Sequence, residues 1–236
     1  MSPSQLEQAA QLHRLGALGP EIDLPNVRLM IRLMPTLFRA LCEEAGHDAR
    51  QARALTTKFR DAGRRSPPWK PASTRVPGRP QDGADGNRRS RWLFEPTHKF
   101  YATERDASLL EVRYYLQALS MTNAPALPRD DTPEVLSWLT GHPVRPGQYL
   151  DPIQLVPIDF HEMLNDPRLI HSGHLVPLDR GGRHVPANAY LMLARSNQLQ
   201  GNMKLEELIE LMSQIVERQR TIGVRGQTVE ATPAKA

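Results

Sequence analysis

The chain of 236 residues contains one cysteine, Cys42. One thiol cannot build a disulfide framework or, within a single chain, a thiolate zinc cluster. That scarcity agrees with a reducing, cytoplasmic setting. Long apolar runs are missing too: no stretch approaches the roughly 20 residues a membrane-spanning helix needs, so a membrane is not an expected partner. The opening residues, MSPSQLEQAAQLHRLG, have neither the basic start nor the apolar centre of a secretory signal. No internal repeat is present. The length suits one medium domain or two small ones, with enough chain to bury a core without staples.

Positive charge is abundant in one place. The formal net charge is only +4, but residues 64–91 carry eight Lys and Arg against two Asp. A concentrated basic tract attracts a polyanion even when the whole chain is mildly basic. This tract, RRSPPWKPASTRVPGRPQDGADGNRRSR, is also rich in proline and glycine and poor in apolar residues. It cannot bury enough surface to offset its ordering entropy, so it reads as a linker or arm. As an arm it would contact phosphates through residues such as Arg64, Arg65, Arg88 and Arg89; as a tether it would be merely solvated. Trp69 and Trp92 flank it as candidates for base stacking, with packing the expected fate of Trp92.

Around the tract the periodicity is helical. Residues 1–62 form an N-terminal helical region. There Val27, Met30, Ile31, Met34, Leu37, Phe38 and Leu41 recur on one stripe, with a kink or a break expected at Pro35. A weaker stripe follows through Ala52, Leu55, Thr56 and Phe59, with Gly63 as its expected stop. Residues 92–150 are a helical connecting region. Leu109, Val112, Leu116 and Leu119 share one helical face, and a short helix opens near Thr132–Pro133 and closes at Gly141. GQYLDPIQLVPIDF alternates and carries prolines, which suits a loose hairpin at a sheet edge. Leu205, Leu208, Ile209, Met212 and Ile215 line one side of a final amphipathic helix, and a tail over 222–236 is expected to fray.

The chemistry concentrates in SGHLVPLDRGGRHVPANAYLMLARSNQLQGN, residues 172–202. Apolar β-formers flank His174, a turn-rich loop of about ten residues follows, AYLMLA is a second strand, and RSNQLQGN a short helix closed by Gly201. That order brings His174, Asn188 and Asn197 within reach of one another.

These residues, read as G-H-L-V-P, then Gly-Gly, Asn188, YLML, Asn197 and Gly201, resemble the HNH endonucleases, a ββα-metal nuclease family. The resemblance is close over about 30 residues, extends over 151–221 with its flanks, and says nothing about positions 1–130. It implies an α+β, mostly helical fold with a C-terminal ββα-metal module over 151–221 behind an N-terminal helical region. It implies a metal-dependent endonuclease that hydrolyses DNA phosphodiesters, leaving 5′-phosphate and 3′-hydroxyl ends, in a restriction, phage or mobile-element setting. His174 matches the general base, Asn197 the last position, where a side-chain oxygen can hold a divalent cation, and Asn188 the position that bonds across the loop. One cation is implied, Mg²⁺ or alternatively Mn²⁺. The CxxC knuckles of many members are missing, so no structural zinc is expected.

One position departs from the pattern. Family members place Asp or His directly before the base, and here it is Gly173. His171, on the same strand face as residue 173, is the candidate substitute ligand. A water, or a carboxylate from Asp151 or Asp159, stays open as an alternative, with Asp179 less suited. Arg180, Arg183, His184 and Arg195 are candidate phosphate contacts, His184 being phosphate-facing or turn-stabilising. The other reading is a catalytically inactive HNH scaffold that binds DNA or regulates; a third is a helical interaction protein in which the motif is accidental. A double-strand cutter with one such site per chain would act most simply as a homodimer.

Overall fold

A computed structural model describes residues 3–67, 88–128 and 132–221. Trp69, most of the basic tract and the tail after Thr221 lie outside the described residues. The described chain is mostly helical and ends in a two-stranded hairpin followed by a helix. Three long helices come first: α1 (Pro3–Gly16), α2 (Leu24–Glu44) and α3 (Ala49–Arg64). Asp23 and Asp48 start α2 and α3 by accepting from backbone N–H groups of Asn26 and Arg50, which satisfies donors that a helix start leaves orphaned.

Pro35 does not divide α2, which runs unbroken through it. An internal proline forfeits one ladder bond and crowds the preceding turn, at a cost of about 3 kcal/mol. Met34, Leu37, Phe38 and Leu41 on either side are buried, and each buried side chain returns roughly 1.5–3 kcal/mol. Packing outweighs the local penalty.

The fourth long helix, α4 (Glu104–Leu119), is the spine. The expected single apolar face understates it, because Ala107 to Leu119 are buried all the way round. α2 and α3 pack on it, with Phe38, Phe59, Tyr115 and Phe160 forming edge-on and tilted ring contacts. Gly63 is not a helix stop. α3 runs one residue further, and a Cβ at 63 would stand 2.6 Å from the Glu111 amide nitrogen. Glycine is there so that α3 can cross close to α4.

Short helices α5 (Thr132–Val135), α6 (Ser137–Thr140) and α7 (Phe160–Asn165) connect the spine to the C-terminal part. Gly141 closes α6 in the left-handed region. The expected hairpin over 147–160 is instead a turn, closed by a single bridge from Leu150 to Pro157. Asp151, fully buried, accepts from the amides of Ile153, Gln154 and Leu193 and from the Ser196 hydroxyl. Its carboxylate ties the turn to residues 193–196 and draws the chain away from a ladder.

Strands β1 (Ile170–His174) and β2 (Ala189–Leu193) pair antiparallel, Gly173 opposite Tyr190, and lead into α8 (Ala194–Gln200) and α9 (Leu205–Thr221). The polar side chains of α4 hold this hairpin. Gln117 accepts from the Leu191 amide at 3.0 Å, the Tyr114 and Ser172 hydroxyls lie 2.6 Å apart, and Arg113 donates to the Pro186 carbonyl. One continuous apolar core runs from Leu12 to Leu191, so the three ordered regions expected from periodicity share a core. No helix among the described residues is long and apolar enough to cross a membrane.

Candidate functional site

Alternation along β1 decides which side chains meet. Ser172 and His174 lie on the hairpin face that carries buried Ala189 and Leu191 toward α4, whereas His171 and Gly173 face α8. His174 and Asn197 therefore approach the hairpin from opposite sides.

His174 is held by a chain of hydrogen bonds. Its Nε2 lies 2.8 Å from Nδ1 of His184, and Nε2 of His184 lies 2.8 Å from the Gly63 carbonyl oxygen. A carbonyl can only accept, so His184 must carry its proton on Nε2. Burial, with Arg91 and His174 adding to it, pushes His184 well below its ordinary value, so the ring is neutral and its Nδ1 accepts. His174 must then donate through Nε2, which leaves the lone pair on Nδ1. That atom makes no hydrogen bond within the described residues and is not among the sealed, unpartnered atoms. Burial first, and Arg91 second, push the imidazole of His174 down to about 4. At neutral pH it is uncharged and in its proton-accepting form.

Asn188 fastens the loop. Its side-chain amide donates to the carbonyls of Val176 and Arg183 at 2.9 Å, and its oxygen accepts from the Val176 amide at 2.8 Å. The Gly-Gly pair has a backbone reason. Gly181 takes φ +84°, and a Cβ at Gly182 would stand 1.9 Å from the Val176 carbonyl oxygen. Loop, strand end and helix are further joined by buried Gln200, whose amide donates to the carbonyls of His174, Leu175 and Met203.

On the α8 side, Nδ2 of Asn197 lies 3.3 Å from Nδ1 of His171. Burial, and then Lys58, lower the titration of His171. The position a family ligand would fill at residue 173 is occupied. A Cβ there would meet Met192 Sδ at 2.5 Å and Asn197 Oδ1 at 2.8 Å. The carboxylates named as replacements are engaged elsewhere: Asp151 in its clamp, Asp159 capping α7 and bonding Asn123, Asp179 paired with Lys99 at 2.6 Å. Among the described residues no group of three or more His, Cys, Asp or Glu could hold a metal ion. The donor set at this point is one imidazole and one amide. It fits a cation that accepts imidazole and completes its shell with water and phosphate, and it fits Mg²⁺ poorly, since that ion prefers carboxylates.

Beside His171 and Ser172 opens a cleft of about 310 Å³ whose other walls are Lys58, Asp61 and Arg88. Lys58 reaches from α3 to donate to the Pro167 and Ile170 carbonyls. The ends of the basic tract meet at the same place: Arg65 bridges Ser90, the Ser66 amide donates to the Arg89 carbonyl at 2.9 Å, and Arg65 donates to the Arg88 carbonyl.

The basic candidates divide. Arg183 and Arg195 are exposed. Arg180 is exposed but paired with Glu207 at 2.8 Å. Arg64 lies over the Trp92 ring and 3.8 Å from Glu111, and Arg89 lies over Phe94. His184 is a correction: it is fully buried with both ring nitrogens bonded, so no atom is left for a phosphate. Sequence reasoning gives no part in the site around His174 to Gly63, Lys58, Tyr114, Arg91 or Gln200. Apart from Gln200, which lies inside the motif, their partners are distant in sequence, and nothing local marks them.

No family model and no curated protein matches the chain. Among solved structures it is similar to the crystal structure of a type II restriction endonuclease, with 20% identity and a TM-score of 0.43 over 52% of this chain. The chain spans 55% of that structure's length. A likeness this loose carries no argument about activity.

Proposed function

We propose that the chain is a DNA endonuclease that hydrolyses phosphodiester bonds with His174 as general base. The single observation behind this reading is the lone pair on His174 Nδ1, left unprotonated by the relay through His184 to Gly63 and without a hydrogen-bond partner among the described residues. A water proton passes to Nδ1 as the water oxygen bonds to phosphorus, and the P–O3′ bond breaks with the departing 3′ oxygen taking a proton from solvent, giving 5′-phosphate and 3′-hydroxyl ends. Gln200 and Asn188 keep the strand end and the loop from moving relative to that ring. Lys58, Arg88 and His171 line a basic cleft on the same strand, which suits a phosphodiester backbone. His171 and Asn197 are the pair that would hold a divalent cation. They lie on the hairpin face opposite His174, so an ion there would supply positive charge to the DNA backbone in the cleft beside His171 rather than at Nδ1 of the base.

A second reading is supported by Gly173. With Met192 and Asn197 filling that place and no group of three or more metal-ligating side chains among the described residues, the scaffold would bind DNA without cutting it. Plasmid incubated with the purified protein in Mn²⁺, Mg²⁺ or EDTA, beside His174→Ala, separates the two. The nuclease reading expects nicked or linear product with a divalent metal, more with Mn²⁺ than with Mg²⁺, and none with EDTA or the variant. DNA retention without product in any metal would establish the second reading instead.

A further inference from the structure

The C-terminal helix leaves its apolar side uncovered. Leu205, Leu208, Met212 and Ile215 recur at spacings of three and four, and Ile209 and Val216 widen the stripe. Of these only Leu208 is buried; Ile209 is 56% exposed, Met212 43% and Val216 44%. Between this stripe and the body, where Ile153 and Leu199 form the facing wall, runs a groove of about 560 Å³. A continuous apolar stripe of this length on a water-soluble surface marks an interaction site.

We propose that a second copy of this chain lays its own α9 antiparallel along this groove, making a two-fold symmetric dimer. The charges choose both partner and direction. α9 has Glu206 and Glu207 in its first turn and Arg218 and Arg220 in its last. At about 100° per residue, Glu206 and Arg220 fall on the same flank of the stripe, and neither is paired among the described residues of its own chain. An antiparallel two-fold axis near Met212 and Ser213 sets Glu206 of each copy beside Arg220 of the other. Parallel pairing would set like charges together along the whole flank. The isologous arrangement uses one patch twice, as closed dimers do, and it also opposes the two helix dipoles. The helix carries four Glu against two Arg, so an anionic lipid surface or a nucleic acid would repel it. The proposal is independent of the nuclease reading.

Sedimentation velocity on the full chain over a wide concentration range tests it. The expected result is a shift from a 26.6 kDa species toward twice that mass. Ile209→Asp with Met212→Asp should hold the protein monomeric with unchanged circular dichroism, since both side chains are exposed in the monomer. Glu206→Arg and Arg220→Glu should each weaken self-association roughly tenfold, and an equimolar mixture of the two should associate about as well as the parent. A monomer at every concentration, a dimer that survives the double Asp variant, or charge variants that show no preference for each other would overturn the proposal. So would a full chain that stays monomeric while one ending at residue 221 dimerises, which would seat residues 222–236 in the groove.

Discussion

With His174 as the proposed base, its environment sets a testable pH dependence. Lowering from 6.5 to about 4 means the ring is protonated, and useless as a base, only below about pH 4. Cleavage by the parent should therefore rise through that region and stay flat across neutrality, with no limb near 6.5. Such a base is weaker than one matched to neutral pH. His184→Ala removes the acceptor of the Nε2 proton and opens the site to water. The acid limb should then move up toward 6.5, with kcat falling on the order of tenfold to a hundredfold, and His184→Asn, which can still accept, should recover part of the loss. A pH–rate profile identical in parent and variant would remove His184 from the mechanism. The sequence displayed His184 but not its use, because its anchor at Gly63 is 121 positions away.

Elements were legible to different degrees. The antiparallel hairpin and the helix closed by Gly201 follow from local signals that the structure reproduces, and the short helix expected from Thr132 to Gly141 keeps both ends but is broken at Leu136 into α5 and α6. Three local expectations failed where distant contacts overruled them, at Pro35 inside α2, at Gly63 near the end of α3 and in the turn that Asp151 ties to residues 193–196. Gly173 belongs with these, because the packing of β1 against Met192 and α8 decides what fits there. Placing the family's usual carboxylate by Gly173→Asp should cost about 1–3 kcal/mol of stability through overpacking, read as a lower midpoint in urea with unchanged slope. Adding Met192→Ala clears the sulfur from the path and should leave the double variant more stable than the sum of the two single effects predicts. Strict additivity would mean the sulfur is not what closes the position.

At the scale of the molecule, the ends of the basic tract are pinned together. Arg65 and Ser90 form the clasp, beside the cleft lined by Lys58, Arg88 and His171. Replacing residues 68–87 by a short Gly-Ser connection should leave the melting temperature nearly unchanged, since the clasp and the core formed by the described residues are both retained. If Lys70, Arg75 and Arg79 reach phosphates, the plot of log affinity against log salt should flatten by about 0.9 for each phosphate no longer neutralised. An unaltered slope would reduce the tract to a tether.

The sequence by itself determined the order of the motif, the mostly helical class, the amphipathic stripes of α2 and α9, and the basic excess of residues 64–91. These depend on neighbours within a few turns or one strand, so periodicity and turn chemistry suffice to expose them. Only the tertiary structure decided that α4 is buried on every side, that α3 delivers the carbonyl fixing the tautomer of His174, that Met192 fills the place beside Gly173, and that the stripe of α9 has no cover among the described residues. Each of these depends on which distant surfaces meet, and one-dimensional periodicity carries no record of that.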